Sequence, residues 1–230
     1  MTDLSLPASS SRIEATFGFI DLAGFTALTE LHGDEHAANL ATRFAELTSA
    51  ALGPGDRLVK TLGDAVLVTS PTPGSAIDLV ERLVTEAAAE PGFPALRAGL
   101  HHGPAVQIQG DVFGAALNLA SRVASEAYAG EVLGTEPIAV AARERGIPVV
   151  ELGGVALKNV SGLIELFSLA IVVGATDAAV DPVCRAVVDR RGAVGRLRHK
   201  GVEYCFCSLM CAAAFASNPD WHASSTGGPA

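Results

Sequence analysis

The sequence predicts an α+β protein in which helices pack on a mostly antiparallel sheet, followed by a small C-terminal module that contains cysteine. Apolar runs bounded by Gly, Pro or Asp alternate with segments whose apolar residues recur at helical spacing. Their order along the chain is β-α-α-β-β-α-β-β-α-β-α-β-β, which is typical of helices layered on a sheet. The second observation is that the cysteines are confined to the last fifth of the chain, at Cys184, Cys205, Cys207 and Cys211.

Composition limits the classes of function. Hydrophobic residues make up 49% of the 230 residues and charged residues 18%, which is enough apolar material for a core. The formal net charge of -9 argues against non-specific nucleic-acid binding, since phosphate neutralisation needs clustered Lys and Arg. We expect no membrane span and no secretory signal, and therefore a cytoplasmic protein with cysteines used for metal or redox chemistry.

The early elements follow from local patterns. Residues 15–22 are an apolar strand, and the helical periodicity after it is interrupted at the HGDEH segment, which predicts a short helix and then a longer one. Residues 57–70 predict two strands joined by a hairpin at Gly63-Asp64. Residues 74–90 form the next amphipathic helix, which ends before Pro91-Gly92.

The later elements complete the predicted domain. Residues 93–109 are a strand region in which Gly103-Pro104 is expected to be a turn, and a helix follows and closes at Gly130. The remaining strands are expected at residues 131–133, 148–156 and 163–170, and the remaining helix at 135–145. The predicted organisation is a flexible tail at 1–13, a main domain at 14–170, a linker at 171–180, the cysteine module at 181–222 and a disordered tail at 223–230.

Two aspartates, Asp21 and Asp64, are candidate metal ligands. Asp21 ends an apolar strand and Asp64 lies at a hairpin tip, so both would cost desolvation unless paired or metal-bound. Mg²⁺ prefers one or two carboxylates together with substrate phosphates. The helix start at Gly24-Phe25-Thr26 offers free backbone N–H groups to a triphosphate. Taken singly, Asp21 also fits a helix N-cap and Asp64 an ordinary hairpin residue.

Five segments in order carry a resemblance to a known family: FIDLAGFT, VKTLGDAVL, LRAGLHHGPAV, GDVFGAALNLASRV and VALKNVSGLIELFSL. Together they resemble the class III adenylate and guanylate cyclase homology domains over about residues 14–170. The resemblance implies a ferredoxin-like core that forms a head-to-tail homodimer, with active sites at the interface. Each active site is expected to use two Mg²⁺ or Mn²⁺ ions.

The resemblance also implies roles for individual residues. Asp21 and Asp64 match the metal carboxylates, and Lys60 and Asp111 match the residues that read the base. Asn118 and Arg122 match the pair that positions the ribose and stabilises the transition state. Lys158 lies in the segment whose lysine contacts the triphosphate. The metal carboxylates are expected from one subunit, and Lys60, Asp111, Asn118 and Arg122 from the other. A monomer should therefore be inactive.

The chemistry of the base-reading pair favours ATP over GTP. Lysine only donates hydrogen bonds and an ionised aspartate only accepts them, which matches N1 and the N6 amino group of adenine. Guanine presents the reverse pattern. Outside this context, Lys60 fits an exposed strand lysine, Asp111 a helix N-cap, and Asn118 with Arg122 a solvated helix stripe. His101 and His102 are interpreted as structural, and His32 and His36 as surface residues.

The C-terminal segment resembles a YHS domain, which is related to the TRASH-type metallochaperone group. Cys184, Cys207 and Cys211 could bind Zn²⁺ or another thiophilic metal such as Cu⁺, with His199 or Cys205 as candidate fourth ligands. A structural or redox role fits equally well. The hypothesis is that this module senses metal or redox state and biases dimer geometry.

The predicted function is therefore an adenylate cyclase that converts ATP to cyclic AMP as a homodimer, without nucleic-acid or membrane partners. The alternative is a catalytically silent cyclase-fold module that binds nucleotide or a partner. A metal-handling protein dominated by the C-terminal module is a third hypothesis, and a guanylate cyclase conflicts with Lys60 and Asp111.

Overall fold

The computed structural model describes residues 10–171, 178–190 and 193–224. The predicted tails at 1–13 and 223–230 and the linker at 171–180 lie largely outside these described residues. Strand β1 nevertheless begins at Ser10, inside the expected tail, because residues 10–13 pair in register with Ala105–Ile108. None of the described helices has the length and apolar character needed to cross a bilayer.

The first thirteen elements alternate in type as predicted, but residues 93–109 contribute one strand rather than two, and the second strand of that pair is Asp111–Phe113, where the helix was expected to begin. These thirteen elements are β1 Ser10–Leu22, α1 Phe25–His32, α2 Asp34–Ala51, β2 Arg57–Leu62, β3 Ala65–Ser70, α3 Pro73–Ala89, β4 Leu96–Ile108, β5 Asp111–Phe113, α4 Ala115–Glu126, β6 Val132–Gly134, α5 Glu136–Glu144, β7 Val149–Ala156 and β8 Leu163–Leu169. The C-terminal module adds β9 Ala178–Val180, β10 Val187–Asp189, β11 Gly195–His199, β12 Val202–Phe206, α6 Leu209–Ser217 and α7 Pro219–Ser224.

The main sheet has the strand order β2-β3-β1-β4-β6-β8-β7, with β5 paired to β4. Only the β4–β6 pairing is parallel among these described strands, so the predicted mostly antiparallel sheet is confirmed. Strand β1 is central and pairs with β3 on one side and β4 on the other. The C-terminal residues of β1 therefore lie between two neighbouring strands, at one end of the strands of the sheet.

Helices cover both faces of the sheet. Ile20 and Leu22 of β1 belong to a large core with α2, α3 and α5, whereas Phe17 points to the other face and contacts the core beneath α4. This alternation is the period-two pattern of a strand buried on both sides. Helix α4 approaches β4 closely at Gly99, where a Cβ atom would lie 2.0 Å from the backbone nitrogen of Ala124.

The predicted turn at Gly103-Pro104 is wrong. Strand β4 runs through it, since Pro104 lies between the β6 pairing, which ends at Leu100, and the β5 pairing, which begins at Val106. A proline without a ladder donor is tolerated where that side of the strand is unpaired. The turn is at Gln109-Gly110, whose φ values of 49° and 88° fit a type I′ hairpin.

The C-terminal module packs directly on α1 and α2. Phe206, Cys211 and Phe215 share a buried core with Leu28 of α1 and Ala37 of α2. The backbone of Ala95 also donates to the carbonyl of Arg185 at 2.8 Å. The module is therefore attached to the same edge of the main domain from which α1 emerges.

Candidate active site

Asp21 and Asp64 lie side by side at one edge of the sheet. Asp21 is opposite Ala65 in the β1–β3 register, and the backbone N–H of Leu22 donates to the carbonyl of Asp64 at 3.1 Å. The β2–β3 hairpin, with Gly63 at φ 67°, therefore places the Asp64 carboxylate next to that of Asp21. Two neighbouring acidic groups repel each other unless a cation or a proton lies between them.

Opposing influences act on the Asp21 carboxylate. Burial raises its pKa, the hydrogen bond and charge of Arg97 lower it, and the nearby Asp64 raises it further. Asp21 Oδ2 accepts from Arg97 Nε at 2.8 Å, whereas Oδ1 is buried without a hydrogen-bond partner. A buried carboxylate oxygen without a partner is costly, and a hard divalent cation shared with Asp64 would satisfy it. The donor set therefore fits Mg²⁺ or Mn²⁺.

The predicted triphosphate loop forms the start of α1. Gly24 adopts φ 73° as the N-cap, and no side chain caps the helix, so its first backbone N–H groups remain available. They border a cleft of ≈ 350 Å³ that also includes Asp64 and Arg97. The C-terminal module closes one wall of this cleft with Arg185, Trp221 and His222.

Lys60 and Asp111 come together as an ion pair. Lys60 Nζ lies 2.7 Å from Asp111 Oδ2, although the two residues are on β2 and β5. Lys60, followed by the backbone N–H of Val112, lowers the pKa of Asp111, which keeps the carboxylate ionised and acceptor-only. Asp111 is not a helix N-cap, because β5 intervenes and α4 begins at Ala115.

Asn118 and Arg122 project from α4 one turn apart. Asn118 is exposed and Arg122 is half-buried, whereas Ala120, Val123 and Ala124 form the buried face of the helix. Lys158 is exposed in the turn after β7, where Asn159 takes φ 62°, a left-handed conformation that asparagine tolerates well.

The structure therefore groups the predicted residues into separate sets. The cleft lined by Gly24, Phe25, Thr26 and Asp64 includes none of Lys60, Asp111, Asn118, Arg122 or Lys158 among its described lining residues. One chain thus presents the two carboxylates next to the start of α1, and presents the Lys60–Asp111 pair and the Asn118–Arg122 pair elsewhere.

The predicted cysteine set forms a compact cluster. Cys184 Sγ lies 3.3 Å from Cys207 Sγ, which lies 3.7 Å from Cys211 Sγ. Hydrogen bonds from Cys184 and Cys207 lower the pKa of Cys211, so negative charge in the cluster is favoured on this sulfur. The fourth nearby donor is His32 of α1.

Neither expected fourth ligand belongs to this cluster. His199 instead contacts Asp220 at 2.8 Å, and Cys205 is buried on β12 outside the group of metal-binding donors. The expectation that His32 is a surface residue is wrong, because α1 packs against the module and half-buries it. His36 is exposed, as expected.

Two site residues were missed by the sequence analysis. The available signal for Arg97 was a single charged side chain in the apolar run FPALRAGL, but its partner Asp21 depends on the β1–β4 register. Arg185 follows Cys184 and reaches the phosphate loop, where its Cγ lies 2.6 Å from the position of a Cβ atom on Gly24. No local pattern predicts that contact.

The chain is similar in sequence to known nucleotide cyclases. Residues 8–170 match the family model described as the adenylate and guanylate cyclase catalytic domain. A pH-sensitive adenylate cyclase of Mycobacterium tuberculosis is 42% identical over 120 residues, which cover 52% of this chain and 30% of that protein. An adenylate cyclase of Streptomyces coelicolor is 44% identical over 118 residues, covering 50% and 31%. The chain spans about a third of the length of these relatives.

Solved structures share the fold. The adenylyl cyclase CyaB from P. aeruginosa superposes with a TM-score of 0.59 at 23% identity, covering 70% of this chain and 95% of that one. The guanylate cyclase domain of RhGC from Catenaria anguillulae gives a TM-score of 0.58 at 19% identity, covering 70% and 98%. The fold is thus similar to that of cyclases named for either nucleotide.

Proposed function

Since this chain belongs to the adenylate and guanylate cyclase catalytic domain family, we propose that it converts ATP to 3′,5′-cyclic AMP and pyrophosphate as a homodimer. The observation that carries the proposal is the pair of adjacent carboxylates beside an uncapped helix start, with one buried Asp21 oxygen lacking a partner. Such a site suits a triphosphate that arrives with divalent cations.

Asp21 and Asp64 would hold two Mg²⁺ or Mn²⁺ ions. When bound, such ions would lower the pKa of the ribose 3′-hydroxyl and neutralise charge on the phosphates. Asp21 contributes its free Oδ1, and Arg97 keeps Oδ2 fixed at the end of β1. The chain's own role is thus to hold two charged oxygens in a fixed place before the substrate arrives.

The start of α1 binds the β- and γ-phosphates. Backbone N–H groups that follow Gly24 point out of the helix, and the helix dipole favours negative charge there. Lys158, exposed beside the left-handed Asn159, supplies a further cation for the triphosphate. These contacts orient the α-phosphate toward the ribose, and positioning of this kind accounts for much of the rate enhancement in phosphoryl transfer.

Lys60 and Asp111 select the base. Lys60 donates to adenine N1, and Asp111 accepts from the N6 amino group. Their ion pair already sets both side chains at one place, so the edge of the base meets a donor and an acceptor that stand side by side. Guanine would meet a donor with a donor and an acceptor with an acceptor, at about 1–3 kcal/mol for each unpaired group.

Asn118 and Arg122 act on the reacting centre. Arg122 carries a permanent charge with a planar donor fork, which suits the α-phosphate as it becomes five-coordinate. Asn118, one turn earlier on α4, positions the ribose. Both project away from the buried helix face, so substrate can reach them without rearrangement of the core.

The dimer follows from the separation of these sets in one chain. A second chain would bring its Lys60, Asp111, Asn118 and Arg122 against the carboxylates and the phosphate loop of the first. By two-fold symmetry, two equivalent composite sites would form.

The direct test is product formation by the purified full chain with ATP or GTP in the presence of Mn²⁺ or Mg²⁺. We expect cyclic AMP, little cyclic GMP, and no product from an Asp21→Asn variant that is folded by circular dichroism. If the folded wild-type chain forms neither cyclic nucleotide but binds ATP, it is the catalytically silent module. Equal activity of Asp21→Asn would reject the carboxylate assignment.

A further inference from the structure

The thiol cluster has the spacing of a tetrahedral metal site. Sulfur atoms on a tetrahedral Zn²⁺ with Zn–S of about 2.3 Å lie about 3.8 Å apart. The sulfurs of Cys184 and Cys207 are separated by 3.3 Å and those of Cys207 and Cys211 by 3.7 Å. The ligand atoms of these three cysteines and of His32 all lie within 4.8 Å of one another. Four donors therefore surround one point, at the junction of the module and α1.

The protein holds this arrangement through other side chains. Asp181 is fully buried, and its two carboxylate oxygens accept from the backbone N–H groups of Val183 and Cys207, each at 2.8 Å. Ser208 caps α6 by accepting from the backbone N–H of Cys211 at 3.2 Å. The backbone around each thiol is thus fixed by contacts that do not involve the thiols.

We propose that His32, Cys184, Cys207 and Cys211 form a Cys₃His site for Zn²⁺ that joins the C-terminal module to helix α1. Three thiolates and one neutral imidazole at tetrahedral spacing are a donor set that Zn²⁺ prefers. The ligands come from α1, from the turn before β10, and from the segment that enters α6. The site is complete only when the module and the main domain are in contact.

A disulfide accounts for fewer of these residues. Joining Cys184 to Cys207 would require an S–S distance of about 2.05 Å and would leave Cys211 and His32 without a role. In the described chain all four cysteines are free, and Cys205 is buried apart from the cluster. Convergence of an imidazole from a separate domain on three thiols is what a metal site needs and a disulfide does not.

The proposed metal site lies at the C-terminal end of α1, and the phosphate loop lies at the N-terminal end of the same helix. Helix α1 runs from Phe25 to His32, a length of about 12 Å at 1.5 Å per residue. On the module side, Arg185 follows Cys184 directly and touches Gly24. A metal bound by Cys184 and His32 would therefore fix the module and α1 together on both sides of the phosphate loop.

The first test is metal binding by the full chain in the absence of nucleotide. The reduced, metal-free protein is titrated with Co²⁺ in excess Mg²⁺, which occupies the oxygen ligands of Asp21 and Asp64. We expect one Co²⁺ per chain with thiolate charge-transfer bands and strong visible bands of tetrahedral geometry, and displacement of Co²⁺ by one Zn²⁺. Absence of these bands, or a Cys184–Cys207 disulfide in protein purified under reducing conditions, would overturn the proposal.

Matched variants identify the ligands. His32→Ala should lower Co²⁺ affinity at least about tenfold and shift the visible bands, because even an outer partner of a ligand has effects of that size. Exposed His36→Ala should bind Co²⁺ as wild type does, and so should His199→Asn. Cys207→Ser should lose a thiolate band, whereas Cys205→Ser should keep all of them. A His32→Ala spectrum identical to wild type would remove His32 from the site.

Hydrogen exchange tests the junction itself. Zn²⁺ should slow amide exchange in both α1 and α6 of the wild-type chain, but only in α6 of His32→Ala. Equal slowing of α1 in that variant would contradict the proposed link. Neither readout depends on cyclase activity, so failure here leaves the proposed function untouched.

Discussion

Asp21 and Arg97 lie directly opposite each other on β1 and β4, and the Arg97 guanidinium donates to Asp21 Oδ2, with Nε at 2.8 Å. This pairing leaves Asp21 Oδ1 as a buried oxygen without a hydrogen-bond partner, in a carboxylate that also has Asp64 as a neighbour. Arg97 therefore balances a carboxylate pair that would otherwise be uncompensated when no metal is bound.

Replacing Arg97 should make the folded state depend more strongly on divalent metal. In Arg97→Met we expect a loss of about 1–2 kcal/mol in metal-free stability, since the pair is partly exposed, and recovery of much of it with Mn²⁺. Chemical unfolding with and without Mn²⁺ measures both effects. Lys200→Met, which breaks an exposed pair with Asp220, is the matched control and should change little. An Arg97→Met chain as stable as wild type without metal would contradict this role.

Exchanging the base-reading pair should alter nucleotide choice. In wild type, Lys60 Nζ and Asp111 Oδ2 are 2.7 Å apart. The double variant Lys60→Asp with Asp111→Lys keeps one charge of each sign at these positions but exchanges the hydrogen-bond donor with the acceptor. Each reversed contact corresponds to about 1–3 kcal/mol, so the ratio of kcat/KM for ATP to that for GTP should fall at least about tenfold. The single variants, which break the ion pair, should lose activity with both nucleotides. An unchanged ratio in an active double variant would show that these residues do not read the base.

The α4 pair should affect the chemical step. Arg122→Ala should lower kcat about 100-fold or more with a smaller change in KM, because the guanidinium acts on charge that develops in the transition state. Arg122→Lys should recover only part of the loss, since it lacks the planar fork. Exposed Ser125→Ala on the same helix is the control. A main effect on KM alone would assign Arg122 to ground-state binding instead.

His101 should make folding stability sensitive to acid. Burial and then the charge of His102 lower its pKa below the ordinary value of 6.5, and its Nδ1 lies 2.7 Å from Thr135 Oγ1. The unfolded chain therefore takes up this proton first, and stability is lost as pH falls below 6.5 toward the lowered folded-state pKa. In His101→Gln the dependence of the unfolding free energy on pH should be shallower between about pH 7 and pH 5. His36→Gln, at an exposed position, should leave the slope as in wild type, and the same slope in both variants would refute the assignment.

Much of the fold could be predicted because it is encoded locally. The apolar periodicity predicts the helices and most strands of the main domain, although β5 lies in a segment expected to be helical. The Gly63-Asp64 hairpin is correct because a glycine with positive φ lies at its tip. The Gly103-Pro104 turn fails for a non-local reason, since whether proline breaks a strand depends on which side of that strand is paired. Local turn chemistry does not contain that information.

The candidate site divides in the same way. The order of the motifs predicts that the two carboxylates belong together and that Lys60 belongs with Asp111, and the structure brings each pair together. Arg97 and His32 were not predicted, because the first depends on strand register and the second on how the module docks against α1. Both contacts join residues that are far apart in sequence.

The composite dimer site is tested most directly by mixing two inactive variants. Asp21→Asn lacks the metal carboxylate and Arg122→Ala lacks the transition-state cation, so each homodimer should be inactive. After equal amounts are unfolded together and refolded, half of the dimers are mixed and each has one intact site, which should restore about a quarter of wild-type activity. If the mixture stays as inactive as either variant although mixed dimers form, the two sets of residues do not act across an interface.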